Sequence, residues 1–162
     1  SAAKIGDIVA VTGKLGTSSK GLVDIMFGDL NTVAAKAHRR GQARVAEGIW
    51  LGTRSEVHAM MDISDGIASD IKHIMEQSKV GAKIELTNIP TDYDIRYATT
   101  GGEDYELLMT VDGASFDTLT KEIHKATGTT LTAIGIITDS NNIEWLEEGK
   151  PTELELKGFT HF

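Results

Sequence analysis

The sequence predicts an α/β (α+β) domain, a layered sheet of about five strands with helices packed on it. Three observations lead there. Short β-branched or alternating apolar runs recur along the chain, stretches with apolar residues at helical spacing fall between them, and glycines mark the boundaries. The 162 residues suit a single domain with a real core, and 40% hydrophobic with 25% charged residues is an ordinary globular composition.

Taken in order, Asp7 to Thr12 (DIVAVT) is a β-branched run closed by Gly13 and reads as a strand. Gly13 to Gly21 (GKLGTSSKG) invites a phosphate-loop reading. Gly16 and Gly21 have the glycine spacing of that motif, but Leu22 stands where it needs Lys. A helix through Leu22, Val23, Ile25 and Met26, capped by Thr17 or Ser18, accounts for the stretch better. Gly28 to Gln42 is polar and basic, with His38, Arg39 and Arg40 clustered, and reads as a solvated connection. A second helix is expected over Val45, Ile49 and Leu51, ending near Gly52.

The next strand places Val57, Ala59, Met61 and Ile63 on one face and His58, Met60 and Asp62 on the other. It runs through Asp62-Ile63-Ser64-Asp65-Gly66 into a helix with Ile67, Ile71, Ile74 and Met75 at helical spacing. Lys83 to Leu86 is a short strand stopped by Asn88-Ile89-Pro90, and Thr91 to Thr100 shows no clear period. Gly101-Gly102-Glu103-Asp104 makes a turn before a strand over Tyr105 to Val111. Phe116, Leu119, Ile123 and His124 mark an amphipathic helix ending at Gly128, followed by strands over Leu131–Ile137 and Ile143–Leu146.

A formal net charge of −8 argues against a sequence-independent nucleic-acid surface and against anionic membranes. With no cysteine there is no disulfide framework, thiolate nucleophile or cysteine zinc site. The five histidines include no pair at metal-ligand spacing. No apolar run approaches the roughly 20 residues of a membrane span. Ser1-Ala2-Ala3-Lys4 lacks the apolar core of a signal peptide, so the cytoplasm is the expected location.

Two acidic turns stand out. At the first, a helix start attracts anions, yet two aspartates there would repel a phosphate unless a cation lay between them. Capping explains Ser64 or Asp65, and it leaves Asp62 at the strand end unexplained. At the second, Gly101 and Gly102 allow close backbone approach beside Glu103, Asp104 and Glu106, with a hairpin-like turn bearing solvated acids as the plain alternative. Carboxylates without His or Cys favour a hard cation such as Mg²⁺, and a cleft shared by the two turns is expected. No nucleophile elbow surrounds Ser64, so serine covalent catalysis is not expected. Phe159 and Phe162 near the end either pack into the core or stack on a planar ligand.

Met61-Asp62-Ile63-Ser64-Asp65-Gly66-Ile67 followed by Gly101-Gly102-Glu103-Asp104-Tyr105-Glu106-Leu107-Leu108 resembles the thiamine-monophosphate kinase family. So do the opening Lys4-Ile5-Gly6-Asp7, the Val11–Gly16 stretch and the closing Gly158-Phe159-Thr160-His161-Phe162. The Gly-Gly-Glu-Asp-Tyr-Glu-Leu string separates that family from its relatives of the aminoimidazole ribonucleotide synthetase-like superfamily. The resemblance implies the fold of the synthetase's C-terminal domain and Mg²⁺-dependent transfer of the ATP γ-phosphoryl to thiamine phosphate. It implies Asp62 and Asp65 as metal ligands, Ser64 as an ATP contact, and Glu103 (ahead of Asp104) with Phe159 at the substrate. It further implies a C-terminal domain without the family's N-terminal ATP-binding domain, inactive alone, and a homodimer in the full-length enzyme. The stretch from Pro90 to Gly101 is shorter than the family's usual connection. The alternatives are a related ATP-dependent synthetase and a non-catalytic phosphate-binding or regulatory module.

Overall fold

A computed structural model describes residues 2–152 as a seven-stranded sheet flanked by helices on both faces. The strands are β1 (Ile8–Thr12), β2 (Val57–Asp62), β3 (Gly81–Glu85), β4 (Leu107–Val111), β5 (Leu131–Thr138), β6 (Ile143–Glu147) and the two-residue β7 (Lys150–Pro151). Their order is β2-β4-β1-β5-β3-β6-β7, antiparallel at every step except the parallel β3–β6 pair. The helices are α1 (Thr17–Met26), α2 (Val33–Arg40), α3 (Val45–Gly52), α4 (Ile67–Ser78), α5 (Ile95–Thr100) and α6 (Phe116–Thr127). The α/β expectation holds: β1 to β6 fall on the six runs read as strands, and the two-residue β7 is the addition.

Strand alternation builds two cores from one sheet. In β1, Val9 and Val11 face one side and Ala10 the other; in β4, Leu108 opposes Leu107 and Met109. On the first side α4 seats Ile67, Ile71, Ile74 and Met75, and on the second α3 and α6 bring Leu51, Leu119 and Ile123. The face assignment in β2 needs one correction. A register shift between Val57 and Ala59 opposite β4 sends Val57 to the second core, while Ala59, Met61 and Ile63 pack with the first.

Two stretches differ from the sequence expectation. Gly28 to Gln42 is more than a solvated connection, because it holds α2. Thr32 caps that helix by accepting from the Ala35 amide at 3.0 Å, and Arg39 and Arg40 sit in its last turn. Gly21 lets α2 cross α1 closely, since a Cβ there would fall 2.1 Å from the Ala34 carbonyl oxygen. The Thr91–Thr100 segment contains the six-residue α5. Its cap Asp94 accepts from the Arg96 amide at 2.9 Å, and the Arg96 side chain draws the Asp94 carboxyl down to about 2. Among the described residues no helix is long and apolar enough to cross a membrane.

Candidate functional site

Asp62 ends β2 and pairs in register with Leu107, which opens β4. The chain leaving β2 therefore runs beside the chain entering β4. The pairing continues into the loops: the Ile63 amide donates to Glu106 O at 2.8 Å, the Tyr105 amide to Ile63 O at 3.2 Å, and the Glu103 amide to Ser64 O at 3.0 Å. A Cβ on Gly102 would lie 2.1 Å from Ser64 O, so only glycine admits this approach. The second acidic turn is thus not a hairpin. It is an irregular entry to β4 locked onto the first turn.

The first turn is shaped from within α4. Asp70, almost fully buried, accepts the Ser64 amide at 3.0 Å and the Asp65 amide at 3.2 Å through one oxygen. Burial raises its pKa and the two amides oppose that rise. The N-cap position belongs to Gly66, at φ 97°, rather than to Ser64 or Asp65. Asp62 is exposed and Asp65 half-buried. Their hard oxygen donors suit Mg²⁺, but among the described residues no group of three or more His, Cys, Asp or Glu is placed to hold a metal.

The second turn carries backbone strain. Glu103 and Tyr105 both adopt left-handed φ, 64° and 53°, a conformation that non-glycine residues rarely take. Between them Asp104 turns inward to the start of α1, where its two oxygens accept from the Gly16 amide at 2.7 Å and the Ser18 amide at 3.0 Å. Burial pushes its pKa up to about 6, against the pull of those amides. The carboxylate that occupies this helix start comes from Asp104, so neither Thr17 nor Ser18 caps α1, and a phosphate would find the amides taken.

Sequence reasoning missed Arg44. Its guanidinium grips Glu106 with a fork, Nε to Oε2 at 2.8 Å and Nη2 to Oε1 at 2.9 Å, and its Nη1 reaches Glu47 at 3.2 Å. Thr12 donates to the same Glu106 at 2.6 Å while accepting the Leu107 amide at 2.8 Å. No local signal could reveal a pair 62 positions apart.

Beside the second turn lies a cavity of about 640 Å³, walled by α2 and the start of α1, with Lys14, Lys36, Arg40, Arg44, Glu103 and Glu106 on its lining. Asp62, Ser64 and Asp65 do not line it. The two turns are therefore joined through their backbones, and this cavity borders only the second. Phe159 and the rest of the closing signature lie outside the described residues.

Comparison with known proteins fits this architecture. The chain is 34% identical over 180 residues to the thiamine-monophosphate kinase of Escherichia coli strain K12, covering 100% of this chain and 54% of that protein. The thiamine-monophosphate kinase structure from Stenotrophomonas maltophilia K279a superposes with a TM-score of 0.81 at 28% identity, over 93% of this chain and 52% of that one. A structure described as AaThiL complexed with AMPPCP and TMP gives 0.79 at 28% identity, over 99% and 52%. The chain spans about half the length of the curated relatives it matches. Residues 4–145 match the family described as AIR synthase related protein, C-terminal domain, and the chain belongs to that family.

Proposed function

We propose that this chain is the C-terminal half of a cytoplasmic, homodimeric thiamine-monophosphate kinase, which transfers the γ-phosphoryl group of ATP to thiamine phosphate to give thiamine diphosphate. The observation that carries the reading is the junction of the two acidic turns, on a chain similar along its whole length to that kinase. Phosphoryl transfer needs positioned cations and anions more than a protein nucleophile, so turns rich in carboxylates suit it.

In this reading Asp62 and Asp65 would hold Mg²⁺, which would supply the positive charge that offsets that of the phosphates. Ser64 contacts ATP, on a turn whose amides Asp70 ties to the protein. Glu103, exposed at the cavity rim, faces the cationic ring of the substrate, and Phe159 packs on that ring. The N-terminal ATP-binding domain would complete the site. Met26, Phe27, Leu30 and Val33, exposed where α1 passes into α2, are an apolar surface that a further domain could cover.

ADP release with thiamine phosphate as acceptor tests the reading. The enzyme of full family length is expected to turn over, and this chain alone is not. Asp62→Asn in the full-length enzyme should lower kcat at least about a hundredfold with the fold intact. An unchanged kcat removes Asp62 from the site, and preference for an aminoimidazole precursor as acceptor would assign the chain to a sister synthetase instead.

A further inference from the structure

Glu103 is the substrate contact in the reading above, and this inference rests on that reading. Its backbone is fixed by the left-handed φ and by the hydrogen bond to Ser64, yet its side chain is 57% exposed and its own turn does not aim the carboxylate. The group that reaches it comes from α2, in the stretch that looks like a solvated connection in sequence.

His38 Nδ1 lies 2.8 Å from Ser18 Oγ and 3.8 Å from Glu103 Oε2, ion-pair range for the latter rather than a hydrogen bond. The imidazole is itself well covered, with 18% of its side chain exposed. Ser18 is also held, since it is buried at the start of α1 and its amide donates to Asp104, the next residue after Glu103. The contacts close a ring: Glu103 is bonded to Asp104, Asp104 binds Ser18, Ser18 meets His38, and His38 returns to Glu103. The ring depends on the close crossing of α1 and α2 at Gly21, where a Cβ would also come 2.9 Å from the His38 Cβ.

The geometry points to His38 as a positioning residue that holds the Glu103 carboxylate at the cavity rim, with Ser18 fixing the imidazole. A glutamate on a strained, exposed turn otherwise keeps its rotamer freedom, and a cationic ligand would lose affinity in ordering it. The role concerns substrate binding alone. The ring meets the first acidic turn through the Glu103 amide, which donates to Ser64 O.

The test uses the full-length enzyme with His38→Gln, Ser18→Ala, Glu103→Gln and the His38→Gln/Glu103→Gln double variant. Removing His38 or the Ser18 hydroxyl should raise KM for thiamine phosphate about three- to tenfold, with kcat and KM for ATP within about twofold. The double variant should be no worse than Glu103→Gln alone, as for two residues acting through one contact. If Glu103→Gln raises KM while both His38→Gln and Ser18→Ala leave it unchanged, His38 does not position Glu103. Additive effects, or a parallel loss in ATP affinity and kcat, would make His38 a general packing residue and overturn the inference. A Glu103→Gln variant with normal KM fails the underlying substrate reading instead, and the inference falls with it. Should His38→Gln not fold, Ser18→Ala decides, because it removes the ring's fixing hydroxyl and leaves the imidazole in place.

Discussion

The Glu103 amide donates to the Ser64 carbonyl across 3.0 Å, and this bond makes one unit of two acidic turns that lie far apart in sequence. Gly102 lies beside the bond with its α-carbon facing Ser64 O, where a methyl group would sit 2.1 Å from the oxygen. The neighbour is backbone and cannot swing aside. Gly102→Ala is expected to destabilise the domain by about 1–3 kcal/mol, through overpacking of a closed site. Urea denaturation measures the loss; a midpoint equal to that of the parent would mean that the turns separate without strain.

The Arg44–Glu106 fork lies directly beneath the second turn. Arg44→Gln leaves the Glu106 carboxylate, 11% exposed, without its cation. The expected loss is about 2–3 kcal/mol, less than for a fully buried pair because water still reaches part of the guanidinium. Arg44→Lys keeps the charge and loses the fork, so it should recover only part of that stability. A double-mutant cycle with Glu106→Gln checks the pair, and a coupling energy near zero would show that the fork contributes nothing.

Asp70 bonds both the Ser64 and the Asp65 amides through one carboxylate oxygen. Asp70→Ala orphans two amides at about 1–3 kcal/mol, whereas Asp70→Asn can present its amide oxygen to both and should lose less. Amide hydrogen exchange at Ser64 and Asp65 offers the direct readout. Protection should collapse in Asp70→Ala and persist in Asp70→Asn.

Asp104 carries a pH signature. Its folded pKa, raised by burial to about 6, lies above the ordinary carboxylate value. Between about pH 4 and pH 6 the folded state therefore holds more of this proton than the unfolded chain does, so the group's contribution to stability falls as pH rises through that window. Carbon-13 NMR of the Asp104 carboxyl should show a midpoint near 6, and Asp104→Asn should flatten the pH dependence of Tm between 4 and 6. A midpoint near 4 would mean that the Gly16 and Ser18 amides fully offset burial.

Much of this fold is written locally. Strands β1 and β5 and helices α4 and α6 are legible because each carries its apolar period within a single short run, as Ile67, Ile71, Ile74 and Met75 do in α4. Helix α3 lies where Val45, Ile49 and Leu51 place it, although only Leu51 of the three is buried. Helix α2 stayed hidden because its buried positions are Ala34 and Ala35, too small to stand out among charged neighbours. Helix α5 is only six residues long, less than the window in which a helical period shows.

The candidate site divides in the same way. Sequence alone identifies Asp62 as the acid that capping does not explain, and the two glycines before Glu103 as a place of close backbone approach. Tertiary structure alone decides that Asp104 serves the start of α1, 88 positions away, that Arg44 secures Glu106, and that His38 reaches Glu103. The physical reason is common to all three. A carboxylate's local sequence says that it carries charge, but its partner is set by which elements the sheet order and the helix crossings bring within reach.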